Sequence, residues 1–187
     1  MFYRLFIILI LSLVTVHCQD LFQAIKSGDE ATVLKILNEY TPNMRNSQDP
    51  KSKTINRPGL GGQTPLMFSV LNGYVWAVKV LLEHGANVNI GEQDGYTPMH
   101  GAGFQGRAEI AQILADHGVS MTDKHRDGFT PFHRACWGTD RRHTETVEVF
   151  LKNGVDADIE SDDGRTCGAM TTNPHTKALL ERLQQEL

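Results

Sequence analysis

His133 and Cys136 stand three residues apart in FHRAC, a spacing that puts an imidazole and a thiol on one face of a helix. An imidazole in that place could take the thiol proton and leave a thiolate nucleophile. Such chemistry also needs a third group to orient the base, and none stands at a suitable spacing. The acidic run DADIESDDG, residues 156–164, invites a calcium reading. A calcium loop of the EF-hand kind needs Gly at its sixth position and a bidentate Glu at its twelfth. Counted from Asp156, those places hold Ser161 and Cys167, so the run reads as a solvated acidic loop. His84 and His117 each precede a glycine that ends an apolar periodic segment, where a partly cationic ring suits the negative end of a helix.

The elements that must carry these residues repeat. Thr64, Thr97, Thr130 and Thr166 are separated by 33, 33 and 36 residues, and Gly85, Gly118 and Gly154 keep the same phase. A period in this range predicts a solenoid. Each unit opens with a glycine turn, Asp-Gly in three of the four. The Thr stands at a helix N-cap and Pro65, Pro98 or Pro131 at the first helical position. A second helix follows, with apolar residues three and four apart: Val75, Val78, Leu81 and Leu82, then Ile110, Ile113 and Leu114. Gly85, Gly118 and Gly154 close it. Two short helices cannot bury their apolar faces alone, so neighbouring units must share one core.

The segments GGQTPLMFSVLNGYVWAVKVLLEHGANVN and DGYTPMHGAGFQGRAEIAQILADHG resemble ankyrin repeats. TPMHGA at 97–102 and TPFHRA at 130–135 each match the signature Thr-Pro-Leu-His-x-Ala at five of six positions, with Met99 and Phe132 standing for Leu. The resemblance covers about residues 20–187. It implies an all-α ankyrin-repeat solenoid of stacked antiparallel helix pairs, with β-hairpin fingers. The organisation expected is a divergent N-terminal cap at 20–60 with a long polar loop at 41–63, repeats at 61–93, 94–126 and 127–162, and a C-terminal cap at 163–187. Met67 replaces the signature His in the unit that starts at Thr64, and Cys167 replaces Pro in the last. The longer third step places a three-residue insertion in WGTDRRHTE, between two helices.

The resemblance also implies roles. His100 and His133 are structural, each bonded to its Thr and to the backbone of a neighbouring repeat. Protein–protein binding through the concave face is the implied function, with no catalysis and no cofactor. The positions on that face repeat: Phe68, Gly101 and Arg134 four residues after each Thr, and Leu71, Phe104 and Trp137 seven after. Just before the Thr come Tyr96, Phe129 and Arg165. Phe68, Leu71, Tyr96, Phe104, Phe129, Arg134 and Trp137 therefore form a candidate stripe for a protein partner. The same side chains could instead pack against neighbouring repeats or the 41–63 loop, and the sequence leaves both readings open.

Residues 1–18 stand apart. Arg4 precedes an apolar run at 5–16, too short to span a bilayer as a helix. The order fits a secretory signal peptide with Val16 and Cys18 at the −3 and −1 positions and a mature chain from Gln19. Retained, the segment would make the protein a membrane-anchored adaptor. Cys136 and Cys167 lie at offsets 6 and 1 from their Thr; five helical residues give about 7.5 Å of axial shift, and stacking adds about a helix diameter. That exceeds the reach of a disulfide, roughly 4.4–6.8 Å between Cα atoms, and predicts two free thiols. The net charge of −4 gives no basic face for nucleic acid. No phosphate loop or metal-ligand spacing is present, which leaves an enzyme based on His133, Cys136 and the acidic run as the weaker alternative.

Overall fold

The computed structural model describes residues 20–40, 54–59 and 61–185. The expected signal segment, 1–18, and most of the 41–63 loop lie outside these residues.

The described chain is a row of helix pairs. Helix α1 spans 20–27 and α2 Glu30–Tyr40. After a short 3-10 turn at Thr54–Asn56 come α3 (Pro65–Asn72) with α4 (Val75–Glu83) and α5 (Pro98–Gln105) with α6 (Ala108–Asp116). Then follow α7 (Pro131–Cys136) with α8 (Arg141–Lys152) and α9 (Cys167–Met170) with α10 (Pro174–Gln185). Helices α3, α5, α7 and α9 stack side by side, and α4, α6, α8 and α10 form the second row.

Local chemistry sets the starts and stops. Thr64 accepts from the Met67 N–H at 3.1 Å, and Thr166 from the Ala169 N–H at 3.3 Å. Thr97 departs from the expected cap, since its hydroxyl bonds His100 Nδ1 at 2.8 Å instead. Gly85 ends α4 in the left-handed conformation, φ 80°, which spares it the Cβ clash other residues would meet. The next N–H, from Ala86, returns to the Leu81 carbonyl at 2.9 Å.

Between the rows runs one core. Leu66, Val70, Met99, Ala102, Phe132 and Ala135 from the first helices meet Val78, Leu81, Ile110, Leu114, Val147 and Phe150 from the second. Each of these is at most 1% exposed, so the shared burial that the repeat demands is achieved across unit boundaries.

Three expectations need adjustment. Among the described residues the finger segments hold no strand. Each is a turn closed by two backbone hydrogen bonds: an outer one from the N–H of Gly59 to the Gln63 carbonyl at 2.9 Å, and from Glu92 to Tyr96, His125 to Phe129 and Ser161 to Arg165, all at 3.0 Å, and an inner one from the Gly62, Gly95, Gly128 or Gly164 N–H back to the first residue's carbonyl. Such a pair of bonds closes a turn without starting a ladder. The insertion is not a loop either. Helix α8 has 12 residues where α4 and α6 have nine, and the additional residues continue it at its N-terminal end.

The third is a correction. Cys136 and Cys167 are not free thiols; they form a disulfide with Cα atoms 5.5 Å apart. The axial shift expected from the spacing requires α9 to lie in register beside α7. Instead α9 is a four-residue helix whose first residue abuts the last residue of α7, so the assumed axial shift is absent. Both cysteines are fully buried.

Candidate functional site

The face expected to be concave is formed by α3, α5 and α7 and the four turns before and after them. Its centre is Arg134, a cation only 6% exposed. Its guanidinium carbon lies 4.4 Å from the centre of the Trp137 ring, 4.8 Å from Tyr96 and 5.3 Å from Phe129. A planar cation among aromatic faces gains from their quadrupoles. The same guanidinium donates to the Asp127 carboxylate and, at 2.9 Å, to the Tyr96 hydroxyl, which donates to Asp127 at 2.9 Å.

Asp127 thus collects the network. His125 stacks on Tyr96 with ring centres 3.9 Å apart, and its Nδ1 lies 3.0 Å from the Asp127 carboxylate. Its Nε2 reaches the Asp94 carbonyl at 2.8 Å and so joins two consecutive turns. Partial burial would raise the Asp127 carboxyl. Hydrogen bonds from His125, Arg134, Tyr96 and the Phe129 N–H outweigh it and hold the carboxyl well below the usual range. The Tyr96 hydroxyl shifts upward, through burial first and its bond to Asp127 second.

The two signature histidines differ. His133 forms a capping box with Thr130: its N–H donates to the Thr hydroxyl at 3.3 Å, while its Nδ1 accepts the Thr130 N–H at 3.3 Å. Nε2 meets the carbonyls of Ile159 and Arg165, both at 3.1 Å, which ties it to the next unit. This is the expected structural arrangement. His100 bonds Thr97 through Nδ1, and the backbone of Phe129 is the group its buried Nε2 approaches, more loosely than His133 meets its two carbonyls. Burial, then the neighbouring His125, lowers the His100 pKa to about 4. His84 and His117 donate through Nδ1 to the Val80 and Ile113 carbonyls, both at 2.8 Å, within the last turns of their own helices.

Beside Arg134 a pocket of about 240 Å³ opens between α3 and α5. Leu71, Tyr96, Phe104 and Arg134 from the expected stripe line it. Glu92, Met67, His100 and Gly101 complete its wall. Phe104 is 57% exposed, the exposed large apolar side chain among the described residues. Three members of the stripe stand outside this pocket. Phe68 packs against Phe22 of α1 at 5.4 Å between ring centres and against Tyr74 at 6.0 Å. Phe129 is buried under Trp137, 4.8 Å away, with Arg165 on it at 4.9 Å. Half-buried Trp137 covers Arg134.

Asp127, His125 and Glu92 were missed in the sequence reading. Asp127 was read as turn chemistry alone, although it stands seven residues before Arg134, as each turn aspartate stands before its helix. The disulfide removes Cys136 from nucleophilic chemistry, and both ring nitrogens of His133 are occupied. The acidic run is held by its own neighbours: Asp162 pairs with Lys124 at 2.7 Å and Asp163 with Arg165 at 2.6 Å. Arg165 first, then Ser161, lowers the Asp163 pKa to about 2.

A row of stacked helix pairs, with short turns along one edge and a continuous core between rows, defines a helical repeat solenoid. The family model for ankyrin repeats in three copies matches residues 21–125 and 89–163, and the chain belongs to the ankyrin repeat family. Such repeats are generally protein-interaction modules and typically non-enzymatic. No curated protein matches the chain.

Proposed function

We propose that the protein binds a protein partner through its concave face, without catalysis, and that Leu71, Tyr96, Phe104 and Arg134 form the centre of the contact. The observation that carries this reading is exposed Phe104 beside a 240 Å³ pocket. An aromatic anchor next to a desolvated Arg is the composition that concentrates binding energy at interfaces. Phe68, Phe129 and Trp137 support the face from beneath or at its edge.

The site of action we propose is the secretory pathway, with residues 1–18 as the signal. The Cys136–Cys167 bond supports that reading, because such bonds persist in oxidising compartments. Sequencing the mature N-terminus tests it: Gln19 means cleavage, whereas Met1 means a retained segment and the anchored alternative.

The functional test is capture of a partner by the 19–187 chain beside a Phe104→Ala/Trp137→Ala variant of matched stability. Capture by the first and loss by the second supports the concave face. Equal capture moves the contact elsewhere.

A further inference from the structure

We propose that the pocket between α3 and α5 receives a lysine or arginine side chain of the partner, its stem against Leu71 and Phe104 and its charge at Glu92. This rests on the concave face being the binding face.

The space exists because residue 101 is glycine. A Cβ there would stand 3.1 Å from Met67 Cε and 3.3 Å from Leu71 Cδ2, side chains that line the same pocket. The walls are largely apolar, which suits the methylenes of a long basic side chain while its head stays polar. Phe104, more than half exposed, stands in the wall as the aromatic side chain beside which a cation can settle.

Charge selects the occupant. Glu92 is the carboxylate in the wall, and its hydrogen-bond partner is the neutral Gln63 amide at 3.4 Å. The Arg134 charge, which would oppose a cation, is already committed to Asp127. The His100 ring is held neutral at physiological pH. Asp94 is paired with Arg126 at 3.6 Å, but Asp156, Asp158 and Glu160 are exposed farther along the chain and add negative charge for a basic partner on approach. An acidic side chain would face Glu92 directly, and a purely apolar one would cover a carboxylate without replacing its water.

The test is a titration of the full chain, followed through backbone amide resonances, with tetra-arginine and tetra-glutamine peptides. Tetra-arginine is expected to shift the Gly101 and Phe104 signals saturably, and tetra-glutamine to leave them in place. Glu92→Gln should weaken the tetra-arginine response about tenfold, the scale of a lost charge-assisted hydrogen bond. Gly101→Leu, which fills the pocket, should remove it. Shifts confined to residues 156–163, and unchanged in Glu92→Gln, overturn the proposal. Should Gly101→Leu not fold, Glu92→Gln decides alone, because Gln63 is the Glu92 side chain's hydrogen-bond partner. If partner capture still depends on Phe104 and Trp137 while the peptides ignore the pocket, the concave-face reading stands and the basic occupant falls.

Discussion

Cys136 ends α7, Cys167 begins α9, and their sulfurs are joined across 31 residues of chain. The bond closes a loop that contains the whole of α8 and the last turn. In the chain-entropy account a loop of this size contributes about 3–4 kcal/mol. The four-residue α9 has little else to hold it, so the C-terminal cap should depend on the bond. Reduction, or Cys167→Ser, is expected to lower the thermal midpoint by roughly 10 °C. Amide exchange should accelerate first in α9 and α10, and equal acceleration throughout would contradict this localisation.

Arg134 and Asp127 make a second prediction. The Asp127 carboxyl is depressed in the folded protein. Its contribution is therefore complete above the ordinary carboxylate pKa near 4, and fades as pH falls through the lower folded value. Asp127→Asn is expected to flatten the acid limb of the stability curve below about pH 4 and, since the carboxylate is partly exposed and screened, to cost about 1 kcal/mol at pH 7. Urea titrations at several pH values measure both. An acid limb identical to that of the wild type would show that the pair contributes no pH dependence.

His100 acts over a different range. Burial lowers its pKa to about 4, against about 6.5 in an unfolded chain. The unfolded state binds the proton first, so stability is full above about pH 6.5 and declines as pH falls toward 4. The loss could reach about 3 kcal/mol over that window. His100→Gln should show a shallower decline between pH 6.5 and 4, whatever its stability at pH 8.

Gly138 gives a packing test. A Cβ on it would overlap the His143 ring, which in turn reaches the Phe104 carbonyl through Nε2 at 3.2 Å. Gly138→Ala should cost about 1–3 kcal/mol, the scale of overpacking. His143→Ala in the same chain should recover part of that loss, whereas additive costs would exclude the contact.

The repeat was legible because its marks are local. Thr-Pro at 64, 97 and 130 and glycine at 85, 118 and 154 fix helix starts and stops within a few residues of themselves, and family membership follows from their period. The candidate stripe was legible only as positions. Which members face solvent depends on neighbours distant in sequence, such as Phe22 beneath Phe68. The disulfide escaped for the same reason, since it depends on how a shortened α9 sits against α7. The Asp127 network escaped because turn aspartates carry an ordinary local explanation that hides a partner across the turn.

The insertion has one more consequence. Three residues enter the second row as part of α8, yet the turn at Ser161–Arg165 closes with the same pair of backbone hydrogen bonds as the turns at Glu92–Tyr96 and His125–Phe129. It also docks on the turn before it: the Asp162 N–H reaches the Gly128 carbonyl at 3.1 Å, and Lys124 meets Asp162 at 2.7 Å. Length variation is thus absorbed on the back of the molecule, and the pitch of its front edge survives. Chimeras that exchange the second helices of units of different length should keep the recognition edge intact, which makes the two rows separable modules for engineering.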